Sequence, residues 1–140
     1  MGDLKLHRTE IKGENGEAIR LVYNENDDIL DIFFGENQSA TAIELTDHIL
    51  LRLNLSDRRA IGLTLLHFSI LTERTEYGPR SFPLDNLMEL PEDLRELVVF
   101  LLTTAPVNKF LKISFFQESP SRRVPLTYVD PYSLVSLAVA

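Results

Sequence analysis

The chain has 140 residues, 44% of them apolar and 25% charged, the make-up of one soluble globular domain that can fold around its own core without a disulfide or structural metal. It has no cysteine, which excludes thiolate metal sites, iron–sulfur clusters and thiol nucleophiles. Its 14 basic and 21 acidic residues give a net charge of −7; residues 1–71 carry 7 basic against 12 acidic and the remainder 7 against 9, so neither half has the basic stripe that draws a protein to nucleic acid or an anionic membrane.

The polar N-terminus lacks the apolar stretch of a secretory signal, and no apolar run approaches the ~18 residues of a membrane span. The expectation is therefore a soluble cytoplasmic protein. Leu4 to Ile11 predicts a weak strand, and Asn15-Gly16 behind it is a favoured hairpin pair. Ile19 to Tyr23 reads as a strand, residues 24–27 as its turn, and Asp28 to Phe34 as the next strand, with Leu30, Ile32 and Phe34 on one face. Thr41 to Leu45 is a short strand. Ile49, Leu51, Leu53 and Leu55 alternate with Leu50, Arg52 and Asn54. After a polar turn, Ile61 to Leu71 presents Leu63, Leu65 and His67 to one side and Leu66, Phe68 and Ile70 to the other. Both of its faces are apolar, which places it centrally with cover on both sides. The sequence shows no repeat.

Residues 72–84 are polar and broken by proline, a long loop. A helix over 91–105 follows, with Pro91 at its first position, Glu92 and Asp93 at the positive end of its dipole, and Pro106 as its stop. Leu94, Leu97, Val98, Leu101, Leu102 and Ala105 form one stripe fit to lie on a sheet. Val99 and Phe100 point away from that stripe and want a second cover. Phe110 to Phe116 is a further strand, while the apolar tail 131–140 carries both helical and strand signals. The expected fold is one α+β domain spanning 1–140: an antiparallel meander of five to six strands over 19–71, the helix on one of its faces, and a C-terminal strand with a docked tail over 110–140.

Chemical motifs are sparse. Asp27, Asp28 and Asp31 cluster without a calcium-loop glycine or a downstream bidentate glutamate, so turn chemistry accounts for them and no metal is expected. His7, His48 and His67 have no metal-ligand spacing. No serine sits in a nucleophile elbow, and the glycines form neither a phosphate-binding loop nor a dinucleotide fingerprint. No cofactor is expected. His67, on an otherwise apolar strand, reads first as a buried neutral histidine; with Tyr23 it is also the candidate ligand-binding pair. Arg58-Arg59 and Arg122-Arg123 read as solvated turns.

The run from Leu21-Val22-Tyr23 through Asp28-Ile29-Leu30-Asp31-Ile32-Phe33 to Ile61-Gly62-Leu63-Thr64-Leu65-Leu66 resembles the bacterial domain of unknown function 2283 family over about residues 19–69. That family has a tyrosine-bearing strand, an aspartate turn, an Asp-x-Leu-Tyr-Ile-like strand and a closing Val-Gly-Ile-Glu-Ile-Leu-like strand. Asp31 stands where the family has tyrosine, and Thr64 where it has glutamate. The resemblance implies a small antiparallel sheet and no activity; some members look like partners of adjacent toxin-like genes. The expected function is a non-catalytic homodimeric interaction or regulatory module, with Val99, Phe100, Leu66, Phe68 and Ile70 as interface candidates. The alternatives are a small-molecule-binding or hydrolase-like enzyme with its site near His67, and an antitoxin-like partner of another protein.

Overall fold

Alternating apolar residues build a six-stranded antiparallel sheet in the computed structural model, which describes residues 6–36, 38–72, 74–75, 78–79 and 81–129. Its strands are β1 (Leu6–Lys12), β2 (Ala18–Asn24), β3 (Ile29–Phe34), β4 (Thr41–Thr46), β5 (Ile49–Asn54) and β6 (Arg59–Leu66). Their order across the sheet is β1-β2-β3-β6-β5-β4. A single meander is therefore the wrong topology: two three-stranded meanders meet along β3 and β6. Register places Leu21, Ile32, Leu63, Leu51 and Ile43 in one row across five strands, and all five are buried. At the seam, a side chain begun at Gly62 would stand 2.5 Å from the Ile32 carbonyl oxygen, so the close approach of β3 and β6 requires glycine there.

The two meanders share a turn. In the β2–β3 turn Asn24 Oδ1 accepts the Asp27 amide at 3.2 Å, and in the β5–β6 turn Asn54 Oδ1 accepts the Asp57 amide at 2.9 Å. The residue after each aspartate is left-handed, Asp28 at φ 57° and Arg58 at φ 53°. An Asn-x-x-Asp turn thus occurs twice, a local repeat absent from the surrounding sequence.

Strand β6 ends five residues earlier than its apolar run. His67 turns left-handed at φ 54°, and Phe68–Leu71 forms a single helical turn, α1. Backbone bonding explains the break, because the Phe68 amide donates to the Asp28 carbonyl at 3.0 Å. Strand β6 is central as expected, but its outer side is not sealed: Thr64 and Leu66 remain half-buried.

Beyond α1, β7 (Arg74–Thr75) and β8 (Gly78–Pro79) form a minimal ribbon, and β9 (Phe82–Pro83) joins a second sheet of order β10-β11-β9 with β10 (Leu111–Ser119) and β11 (Arg122–Val129). Strand β11, which contains Pro125, is not anticipated from the sequence. Between β9 and β10 lies α2 (Glu92–Leu102), the only helix of seven or more residues among the described ones. Pro91 is its N-cap and not its first residue. At the other end the Thr103 hydroxyl donates to the Val99 carbonyl and the Thr104 hydroxyl to that of Phe100, both at 2.8 Å. These bonds occupy C-terminal carbonyls, so the helix stops short of Ala105.

Leu97, Val98, Leu101 and Leu102 are buried in the same cluster as the inner face of the large sheet, with Leu94 packed at its margin. Phe110 adds a buried ring 6.0 Å from Phe34. Val99 (39% exposed) and Phe100 (59%) face outward. The class is α+β in the coarse sense, with strand far outweighing helix. At the β4 edge a register shift falls between Glu44 and Thr46, and Asn86 Nδ2 donates to the Glu44 carbonyl at 3.2 Å. The tail from Asp130 lies outside the described residues.

Leu97→Ala and Leu101→Ala are each expected to destabilise the fold by about 2–5 kcal/mol, the range for a buried leucine. Phe100→Ala is expected to cost less than about 1 kcal/mol. Denaturant midpoints of the three variants check the contrast.

Candidate functional site

The structure places Tyr23 and His67 at one corner of the large sheet, around a residue that the sequence presents only as a turn former. Asp28 accepts from Tyr23 Oη at 2.7 Å on Oδ1 and from Ser69 Oγ at 2.6 Å on Oδ2. The Ser69 amide donates to the same carboxylate at 3.1 and 3.3 Å. With its carbonyl taken by the Phe68 amide, Asp28 holds the start of α1 through both main chain and side chain.

Tyr23 lies between His7, whose ring stacks on it with centroids 6.0 Å apart, and Phe68, tilted against it at 5.3 Å. His7 Nε2 is also 3.0 Å from Glu25 Oε2. Burial pushes the Tyr23 phenol up to about 12, helped by its bond to Asp28 and by the charges of Asp28 and Glu25. Burial also pushes the Asp28 carboxyl up, but the bonds from Ser69 and Tyr23 and the nearby His67 outweigh it and hold the group below its ordinary range.

His67 is exposed, which corrects its reading as a buried core histidine. The left-handed turn at the end of β6 swings it away from the inner row of Leu63 and Leu65. Its Nδ1 lies 3.0 Å from Nδ1 of His48, with the rings edge-on at 84°. One ring donates and the other accepts, since two imidazole nitrogens share a hydrogen bond only in that way. His48 is anchored in turn by its amide to Thr46 Oγ1 at 3.0 Å and by Phe82, edge-on at 5.6 Å. Sequence reasoning missed Asp28, Ser69 and His48 as partners, because Asp28 meets Ser69 through the pairing of β3 with β6 and His48 meets His67 through that of β5 with β6.

The interface candidates separate. Phe68 is only 7% exposed, beneath Tyr23, so it is a core residue: α1 turns it inward where a continuing strand would have turned it out. Ile70 is 37% exposed on α1. Leu66 alternates with buried Leu65 and so lies on the outer side of the sheet, whereas Val99 and Phe100 lie on the outward side of the helix that covers the inner face. These residues do not form one patch.

Catalytic geometry is not assembled at the corner. Ser69 Oγ is committed to a carboxylate and not to an imidazole, so no activated hydroxyl results. Among the described residues no group of three or more His, Asp or Glu is placed to hold a metal ion. A cavity of about 220 Å³ beside His48 is lined by Leu45, Phe82 and Asn86, among others, but not by His67 or Tyr23. Mechanically the corner is a latch that joins the β2–β3 turn to α1. No family model, curated protein or solved structure matches the chain.

Asp28→Asn is expected to cost about 1–2 kcal/mol near neutral pH, by loss of charge-assisted bonds. Because the Asp28 carboxyl titrates lower folded than unfolded, this contribution is present above the ordinary carboxylate range and is lost as pH falls through the lowered value. The gap between wild type and Asp28→Asn should therefore close in acid. At the alkaline end Tyr23, raised to about 12, should make stability fall from pH about 10 upward. Tyr23→Phe should remove that part of the slope, and denaturation midpoints across pH test both.

Proposed function

We propose that the chain is a non-catalytic interaction or regulatory module that works as a homodimer in the bacterial cytoplasm, with the sheet of the family it resembles. One observation carries the reading: the outer face of the large sheet bears Val22, Ile29, Phe33, Leu50 and Leu66, each half-buried with part of its surface left to solvent. In their midst a polar group is largely paired within itself, with Arg52 Nε left without a partner among the described residues. Asp31 Oδ1 accepts from Arg52 at 3.1 Å and from Thr64 at 2.7 Å, and the guanidinium groups of Arg20 and Arg52 lie over the Phe33 ring at 5.1 and 5.2 Å. Charges tied up in this way are less costly to cover than free ones. An aromatic and aliphatic surface with paired charges suits a self-complementary two-fold contact better than a catalytic cleft.

The sides of this face differ in charge. Arg8, Lys12 and Arg20 outnumber Glu10 on β1 and β2, and Glu44 stands on β4. A two-fold axis parallel to the strands, between β3 and β6, lays the basic side of one copy over the acidic edge of the other. With the arginines committed in this way, and a chain charge of −7, the reading includes no nucleic-acid partner.

Light scattering at micromolar concentration is expected to give twice the 16.0 kDa chain mass. Leu50→Arg and Val22→Arg should each yield folded monomers, while Phe100→Ala should leave the dimer intact. A wild-type monomer, or a dimer indifferent to both outer-face charges, overturns the proposal.

A further inference from the structure

On the opposite side from the outer face, a cleft of about 430 Å³ separates the C-terminal end of α2 from the end of β3 and the β5–β6 turn. Phe34, Leu101 and Val107, all buried residues, give it an apolar floor. Phe100, 59% exposed, forms its lip. Four charged residues line the same space: Glu17 and Glu36, Arg58 and Arg59. None of the four is in an ion pair with a described residue.

One of these charges is held in place. Arg59 donates to the Phe34 carbonyl at 3.2 Å, and Gly35, left-handed at φ 71°, leaves room for the guanidinium, since a side chain begun there would stand 3.3 Å from Arg59 Nη2. Glu17 Oε1 is packed against Gly13 of the β1–β2 turn, with no hydrogen-bond partner among the described residues. A purely anionic ligand would meet the two glutamates and a purely cationic one the two arginines. A neutral apolar ligand would desolvate all four without pairing any of them. A zwitterion with an apolar body answers both signs and the floor together.

We infer that this cleft binds a free amino acid with an apolar side chain, its carboxylate at Arg58 and Arg59, its ammonium at Glu17 and Glu36, and its side chain on the floor beneath Phe100. The volume lies toward the small end of the range for ligand pockets. The cleft shares no residue with the outer face of the sheet, so it stands or falls apart from dimerisation.

Titrating the isotope-labelled full chain with L-phenylalanine is expected to give saturable shifts at the amides of Gly35, Phe100 and Thr104. Phenylpropionate, which lacks the ammonium, and phenethylamine, which lacks the carboxylate, should each bind at least about tenfold more weakly. Arg58→Gln, at an exposed turn position, should weaken phenylalanine binding by about tenfold with the fold preserved, and Arg59→Gln at least as much. The absence of saturable shifts at millimolar phenylalanine overturns the inference. So does phenylpropionate or phenethylamine binding as tightly as phenylalanine, or wild-type affinity in both arginine variants.

Discussion

The seam between β3 and β6 is the pairing on which the rest of the molecule depends. Leu30 stands opposite Leu65, Ile32 opposite Leu63 and Phe33 opposite Gly62, and each pair joins residues that lie far apart in the chain. Without it there are two three-stranded pieces, and the inner row from Leu21 to Ile43 is cut in two. With it the inner rows become continuous, and α2 has a sheet wide enough to lie on. The corner latch extends the same joint: Asp28 enters β3 from its turn and grips the chain just after it leaves β6. Pairing of distant segments is costly in chain entropy, and the fold places its glycine and its most heavily bonded carboxylate along this one line.

The two proposed surfaces follow from that arrangement. A sheet covered on one side by a helix and a small second sheet has one side left over, and the period-two alternation of β2, β3, β5 and β6 determines what is displayed there. The cleft arises instead at the end of the sheet, where α2 terminates and the chain must turn back through Pro106 toward β10. One surface is broad, with Asp31 paired to Arg52 in its midst, the other narrow with charges unpaired. That difference is why different kinds of partner are proposed for them.

Strand positions and the helix stripe were legible because each rests on a periodicity that burial enforces: Ile49, Leu51 and Leu53 are all buried, and so are Leu97, Val98, Leu101 and Leu102. The outward direction of Val99 and Phe100 follows from the same geometry. Strand order was not legible, since alternation says which face a residue takes and not which strand lies beside it. The end of β6 was misread because Phe68 and Ile70 continue the alternation, while the break is imposed by Asp28 from another part of the chain. Phe68 was therefore placed at an interface when it belongs to the core, and His67 inside when it is outside. Strand β11 was hidden by Pro125, a residue that argues against a strand, although its carbonyl accepts the Leu84 amide at 2.9 Å. Of the corner site, Tyr23 and His67 could be singled out as unusual, but Asp28, Ser69 and His48 join them only through tertiary pairing.

The bulge and the Asn86 contact on β4 bear on how open the sheet is to strand addition. A six-stranded open sheet has two free margins, each a template on which another chain can add a strand. On β4 the register shift bends the margin, and the amide of Asn86 occupies the Glu44 carbonyl that an incoming backbone would need. On β1 the outer side chains are Arg8, Glu10 and Lys12, a row of charge along the margin. Strand-by-strand growth is thereby obstructed at both margins, which leaves the flat of the sheet as the face on which the proposed two-fold contact would close.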